Sequence, residues 1–210
     1  MMASNLVFYT NPMSRGRVIR WMLEETGADY ETVVLDYAST MKQEPYLSIN
    51  PMGKVPAIVH NGHVVTECAA ICAYLADAFP EAGLAPPTTD RADYYRWLFY
   101  AAGPLEQAVT NNYAKFEPAP EQGRMFGYGS YDTAVSVVDG LFTSRDYVCG
   151  DRFTAADVYV GSAILWGTQF GTLPKLDSFV AYAERLSVRD AYRRGKEMDN
   201  QLIAEIQAAG

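Results

Sequence analysis

Residues 50–58 have the sequence Asn50-Pro51-Met52-Gly53-Lys54-Val55-Pro56-Ala57-Ile58, and Val65-Thr66-Glu67-Cys68 follows a short distance along the chain. The pattern predicts a turn, a strand that begins at Pro56, and a second strand that leads into a helix starting at Glu67. Proline has no N–H to donate to a sheet, so Pro56 marks a strand end or a bend. The alternative is that these prolines only punctuate a loop.

The same stretch predicts a way of binding a small peptide. If the Val55–Pro56 bond is cis, the N–H and C=O of Val55 turn outward, where they can pair with an extended ligand. The N–H groups that open the helix after Glu67 form an anion site, because they have no acceptor within the helix. Two neighbouring elements that bind through their backbone therefore indicate a peptide site.

The composition is that of a globular protein, with 210 residues, of which 49% are hydrophobic and 20% charged. A net charge of −8 argues against a nucleic-acid-binding surface. No apolar run approaches the roughly 20 residues of a membrane helix. The N-terminus has no basic segment followed by an apolar core. We therefore expect a cytoplasmic protein that binds neither nucleic acid nor membrane.

The three cysteines, Cys68, Cys72 and Cys149, predict a reducing compartment. An odd number of cysteines without an export signal does not indicate a disulfide framework. Cys68 and Cys72 are four residues apart on a predicted helix, but no further His or Cys lies near enough in sequence to complete a metal site. We expect two small buried side chains and no metal.

The N-terminal part of the chain alternates strands and helices in the order β-α-β-α-β-β-α. A helix that begins near Ser14 is expected to end at Gly27. Predicted strands cover residues 6–9, 30–35, 55–60 and 63–66, and further helical segments cover 42–47, which is weak, and 67–78. Asn61-Gly62, between the last two strands, is a strong hairpin signal.

A proline-rich linker over residues 81–89 is predicted to separate this domain, residues 1–80, from an all-helical domain over residues 90–210. Gly103-Pro104 predicts a kink within a long aromatic helix. Thr154-Ala155-Ala156-Asp157 predicts a capping box, in which the Thr154 hydroxyl accepts an N–H and Asp157 reaches back. Besides the helix that begins at this capping box, the predicted helices of this domain cover residues 90–110, 128–142, 179–186 and 188–208.

Three of these motifs together resemble the glutathione transferase superfamily, in a bacterial-type form with a serine in the N-terminal motif. They are the Asn-Pro-x-Gly-x-Val-Pro turn, the helix start over residues 67–71, and the capping segment over residues 150–157. The resemblance extends over essentially the whole chain. It implies a thioredoxin-like N-terminal domain that binds glutathione, followed by a helical bundle that carries the pocket for the electrophile.

The resemblance also implies roles for the opening stretch. It implies a cis bond at Pro56 and glutathione held antiparallel to Val55. It implies that Glu67 and the N–H of Cys68 take the γ-glutamyl end, since an ammonium needs a carboxylate and a carboxylate needs N–H donors. Family members usually carry Ser at position 68, so Cys68 keeps the backbone donor but weakens the side-chain hydrogen bond.

The chemistry requires a donor that stabilises the glutathione thiolate, because a free thiol has a pKa of about 8.5. In the family this donor lies where the first strand meets the first helix, which is the place of Ser14. The alternative for Ser14 is a plain helix cap. Tyr9 is a competitor, although it lies two residues too far upstream of Arg15-Gly16-Arg17, and Asn11 is a third candidate. No cysteine lies near Ser14, which disfavours a mixed-disulfide mechanism.

The remaining predicted contacts are less closely tied to a motif. Lys42 and Lys54 are candidates for the glycyl carboxylate of glutathione, with a solvated surface cation as the alternative for each. Asn11, Met13 and Tyr113 are candidates for the substrate pocket. The aromatic helix after the linker is expected to form the electrophile pocket together with Met13, and the alternative for its aromatic side chains is the core and a subunit interface.

We therefore predict a cytoplasmic, homodimeric glutathione transferase that conjugates the glutathione thiolate to small hydrophobic electrophiles in detoxification. Glutathione acts as co-substrate, and no metal is involved. One alternative is a related binding or regulatory protein without turnover, because the superfamily includes members that do no transferase chemistry. Another is a glutathione-dependent peroxidase, isomerase or dehalogenase on the same site, which the sequence does not distinguish.

Overall fold

The computed structural model describes residues 5–209. Contacts divide the chain into two compact units. The first unit extends to Leu84 and also includes the segment from Val188 onward, and the second unit is Ala85–Ser187. The domain boundaries at residues 80 and 90 stay a prediction, and the structure adds that the last helix packs with the N-terminal segment.

The strands all lie in the first unit: β1 (Leu6–Thr10), β2 (Glu31–Val34), β3 (Ala57–His60) and β4 (His63–Thr66). The α-helices are α1 (Gly16–Thr26), α2 (Cys68–Ala78), α3 (Ala92–Tyr100), α4 (Glu106–Tyr113), α5 (Tyr131–Phe142), α6 (Ala155–Phe170), α7 (Asp177–Ser187) and α8 (Asp190–Ala209). The sheet has the order β2-β1-β3-β4, with β1 parallel to β2 and antiparallel to β3. This is the predicted thioredoxin-like arrangement, and it is followed by the predicted helical part.

The predicted hairpin and helix end are confirmed. Asn61 and Gly62 both have positive φ, 52° and 82°, which a two-residue type I′ turn requires. Gly27 caps α1 in the left-handed conformation, and its N–H bonds to the Leu23 carbonyl.

The predicted helical segment over residues 42–47 is not a continuous helix. Two short 3-10 turns, Thr40–Lys42 and Tyr46–Ser48, stand in its place. Pro45 lies between them, and proline lacks the N–H that a continuing helix needs. The predicted helical segment therefore forms only single turns on either side of Pro45.

In the second unit, the predicted break at Gly103-Pro104 is a π-helical segment, Ala101–Leu105, between α3 and α4. The predicted capping box is present at the start of α6. The buried Asp157 carboxylate accepts bonds from the Thr154 N–H (2.8 Å), the Val148 N–H (2.7 Å) and the Tyr182 hydroxyl (2.8 Å). Burial raises the pKa of Asp157 to about 6, although these bonds lower it.

Helix α8 packs closely on α1 within the first unit. Gly195 makes this approach feasible, because a Cβ there would lie 3.2 Å from Cγ of Arg20. Arg20 and Asp199 form a fully buried ion pair at 3.2 Å, with side chains only 1% exposed. Arg189 adds a bidentate pair to Glu25, with both N–O distances 2.7 Å. Within residues 5–209, no helix combines the length and apolar character needed to cross a membrane.

Candidate functional site

One end of the sheet brings together the loop after β1, the residues before β3 and the residues after β4. Tyr9 pairs with Ala57 across β1 and β3, and Ala57 pairs with Thr66 across β3 and β4. The segments that continue from these strands are therefore neighbours. The Sγ of Cys68, in the first turn of α2, lies 3.9 Å from the Arg15 carbonyl oxygen and connects two of them directly.

The turn before β3 is held by its own side chains. The Asn50 amide donates to the Lys54 carbonyl (2.8 Å), and its oxygen accepts the Met52 N–H (3.1 Å). The Tyr46 hydroxyl donates to the same Lys54 carbonyl. The Val55–Pro56 bond is cis, as predicted. Among residues 5–209, no group pairs with the backbone N–H or C=O of Val55.

Glu67 stands immediately before α2 with an exposed side chain and makes no capping bond to the helix. Its φ is 65°, a conformation that is uncommon for a residue with a side chain and that tends to cluster at functional sites. The first N–H groups of a helix have no intrahelical acceptor and carry partial positive charge. A carboxylate therefore lies beside an anion-binding helix end, a combination that suits an amino acid head group.

Ser14 lies in the loop that precedes α1. Its hydroxyl donates to the Asn11 carbonyl (2.6 Å) and accepts the Gly16 N–H (2.8 Å). The Asn11 amide donates to the Leu35 carbonyl (2.8 Å), and its side-chain oxygen accepts the Met13 N–H (3.0 Å). Both side chains thus shape the loop, and the catalytic role of Ser14 stays a prediction.

Tyr9 is half-buried in β1. Its ring lies 5.4 Å from the ring of Tyr46 and packs against a cluster that includes Met41 and Leu35. Burial, with the nearby charge of Glu31, raises the pKa of Tyr9, so its phenol stays protonated at neutral pH.

The other predicted site residues are more scattered. The Lys42 ammonium donates to the Gly53 carbonyl within the turn before β3, and Lys54 is exposed beside it. Met13 is exposed in the loop before α1. Tyr113 is exposed at the end of α4 in the second unit. The described residues contain no group of three or more His, Cys, Asp or Glu side chains placed to hold a metal ion.

Neither the importance of Thr10 nor the reason for a glycine at position 16 is predicted from the sequence. A Cβ on Gly16 would lie 1.9 Å from Oγ1 of Thr10 and 3.0 Å from Oγ of Ser14. Only glycine therefore fits where α1 begins against the end of β1. The Arg15-Gly16-Arg17 run indicated that position 16 matters. The sequence alone does not show that the Thr10 side chain lies where a Cβ of residue 16 would be.

Gly16→Ala is expected to destabilise the protein by about 1–3 kcal/mol, the usual cost of overpacking a tight site. The clash falls on a short, fully buried side chain that cannot swing away. Urea denaturation measures the effect. Gly140→Ala is the matched control, because open space surrounds that helical glycine and the change there should stabilise by up to about 1 kcal/mol. Equal changes in the free energy of unfolding for Gly16→Ala and Gly140→Ala would contradict this explanation of Gly16.

Comparisons with known proteins agree with this architecture. The family profile described as "Glutathione S-transferase, N-terminal domain" matches residues 4–77. Glutathione S-transferase GST-4.5 of Xanthomonas campestris is 29% identical over 209 residues, which cover 96% of this chain and 98% of that protein. Glutathione S-transferase GstA of Escherichia coli O157:H7 is 29% identical over 174 residues, 80% of this chain and 85% of that protein.

Solved structures are similar over nearly the full length. A sphingomonad glutathione S-transferase complexed with glutathione aligns with a TM-score of 0.75 and 28% identity, covering 92% of this chain and 98% of that one. A glutathione transferase of Methylococcus capsulatus aligns with a TM-score of 0.75 and 26% identity, covering 93% and 99%. The N-terminal profile, the full-length relatives and the fold all indicate the glutathione S-transferase superfamily.

Proposed function

We propose that the protein is a glutathione transferase that joins the glutathione thiolate to small hydrophobic electrophiles. The observation that carries the proposal is the backbone of Val55, whose N–H and C=O have no partner among the described residues. It lies at the sheet end where Glu67 opens α2. The family profile over residues 4–77 and the full-length relatives support the same ligand.

Each of these protein groups matches a chemical group of glutathione. Its cysteinyl backbone pairs with Val55 as an added antiparallel strand. Its α-ammonium meets the Glu67 carboxylate, and its α-carboxylate accepts from the N–H groups at the start of α2. Lys42 or Lys54 meets the glycyl carboxylate. In this proposal, the cysteinyl sulfur faces the loop that carries Ser14.

The reaction proceeds by nucleophilic attack of the thiolate on an electrophilic carbon. A C–S bond forms, and the leaving group departs with its electron pair, or the electrons move into a conjugated acceptor that is then protonated. Ser14 donates a hydrogen bond that favours the thiolate. Met13 and Tyr113 stay predicted contacts of the apolar electrophile. A cytoplasmic location, a role in detoxification and homodimer formation stay predictions.

Titration calorimetry with reduced glutathione tests the binding half of the proposal. We expect a dissociation constant below about 1 mM, the upper end of usual substrate affinities. Glu67→Gln should weaken binding by about tenfold or more, because a hydrogen bond to a charged group contributes about 1.5–3 kcal/mol. Glu81→Gln, an exposed acid just beyond α2, is the control and should bind as the wild type does. Absence of binding to the wild type would overturn the proposal.

A binding protein without turnover is the second candidate. One observation favours it: the Ser14 hydroxyl uses its single proton on the Asn11 carbonyl. An aryl-halide conjugation assay beside the calorimetry separates the two. Binding with conjugation supports the transferase, and binding without conjugation of any aryl halide supports the alternative.

A further inference from the structure

The hydroxyl of Thr10 is fully buried, and no described group forms a hydrogen bond with it. The Thr10 backbone is occupied, since its carbonyl accepts the Leu35 N–H at 2.8 Å and the residue pairs with Val34 in the sheet. An unpaired buried hydroxyl is costly, and valine has nearly the same shape without that cost. The hydroxyl at this position therefore calls for an explanation other than packing.

The geometry around Gly16 shows where this hydroxyl lies. Measured from the position that a Gly16 Cβ would occupy, Oγ1 of Thr10 is 1.9 Å away and Oγ of Ser14 is 3.0 Å away. The two oxygens are thus no further apart than the sum of these distances. The buried hydroxyl and the proposed thiolate donor are neighbours across the bare Cα of Gly16.

A count of hydrogen bonds on Ser14 shows what a neighbouring donor can do. A serine hydroxyl has one proton and can accept two bonds. It accepts one, from the Gly16 N–H, and its proton goes to the Asn11 carbonyl. That carbonyl also accepts the Ser14 N–H at 3.0 Å, so it stays paired when the hydroxyl turns away. A second accepting position on Ser14 is therefore open to Thr10.

We propose that Thr10 is a positioning residue for Ser14. This inference rests on the proposed function. When glutathione binds, the Ser14 hydroxyl turns from Asn11 to the sulfur, and the Thr10 hydroxyl donates to Ser14. Ser14 then accepts two bonds and donates one, which is its full capacity. Donors in series polarise one another, so Thr10 strengthens the bond that Ser14 gives to the thiolate.

The test measures the pKa of the bound glutathione thiol from the ultraviolet absorbance of the thiolate as a function of pH. Thr10→Val should raise this pKa by roughly half a unit to one unit, the equivalent of one neutral hydrogen bond. Below that pKa, kcat should fall about three- to tenfold, and the KM for glutathione should stay within about twofold. Thr10→Ser keeps the hydroxyl and should restore the wild-type pKa.

Further variants separate this role from a structural one. Thr10→Val should retain or raise the melting temperature, because it removes an unpaired buried hydroxyl. In a Ser14→Ala background, Thr10→Val should shift the thiol pKa no further, since Thr10 acts through Ser14. If Thr10→Val folds poorly, Thr10→Ala and Thr10→Ser give the same comparison.

The outcomes distinguish this inference from the proposed function. If the wild type does not bind glutathione, the proposed function fails and the inference with it. If glutathione binds and Ser14→Ala raises the thiol pKa while Thr10→Val does not, only the role of Thr10 is overturned. An equal pKa shift for Thr10→Val and Thr10→Ser also overturns it, because the hydroxyl would then be irrelevant.

Discussion

Asp199→Ala is expected to lower the free energy of unfolding by about 3–5 kcal/mol, the usual cost of breaking a buried ion pair by removing one partner. Arg20 remains fully buried on α1 when its partner on α8 is lost. The other groups near its guanidinium are the hydroxyls of Tyr30 (3.0 Å) and Thr32 (2.8 Å) and the aromatic face of Phe8. These are neutral, so they solvate the charge without balancing it.

Urea denaturation followed by circular dichroism measures this change. Glu197→Ala is the matched control, because Glu197 is an exposed acid on the same helix and should shift stability by no more than about 0.5 kcal/mol. The double variant Arg20→Met with Asp199→Leu removes both charges and should be more stable than Asp199→Ala, since an apolar pair avoids the desolvation cost. A double variant less stable than Asp199→Ala would show that the charges are not the cause.

Ser14→Ala is expected to reduce kcat for aryl-halide conjugation by about 10²–10³-fold, the usual loss when one donor to a developing or stabilised anion is removed. Glutathione affinity should remain nearly unchanged, because Val55, Glu67 and the start of α2 are left intact. The helix loses an acceptor for the Gly16 N–H, at a cost of about 1 kcal/mol in stability. Steady-state kinetics at fixed pH, with calorimetry for glutathione, measure both quantities.

Two further substitutions decide between the candidate donors. Tyr9→Phe removes only a hydroxyl whose pKa is raised by burial, and it should leave kcat within about threefold if Ser14 is the donor. Ser48→Ala is a control for losing a serine hydroxyl, since Ser48 only bonds with Glu44 on the surface. Wild-type turnover in Ser14→Ala together with a large loss in Tyr9→Phe would assign the role to Tyr9.

Much of the first unit follows from local chemistry. Asn50 bonds within four residues of itself, and Asn61-Gly62 needs only its own positive φ values, so both turns could be predicted from a short window. In the second unit, the capping box at Thr154 is equally local. The break at Pro45 is local too, because a proline without an N–H interrupts the helical segment predicted over residues 42–47.

The parts that could not be predicted depend on residues far apart in the chain. The pattern over residues 188–208 indicates a helix but not its partner, and Arg20 and Asp199 are 179 positions apart. Thr10 lies close to Gly16 because of the way the end of β1 packs against the start of α1. The spacing of residues along the sequence does not reveal that distance. The candidate site was therefore predicted by its motif residues, while the groups that support them emerged only from the packing.

Because α8 packs in the first unit, the order of synthesis affects the order in which the two units complete their packing. Ribosomes release the chain from its N-terminus, so the sheet and α1 emerge long before Asp199 does. Until then Arg20 lacks its partner Asp199, and α8 cannot pack on α1. The second unit, whose residues are continuous from Ala85 to Ser187, can complete its core earlier. The thioredoxin-like segment, which is made before the second unit, thus completes its packing only after α8 has been made.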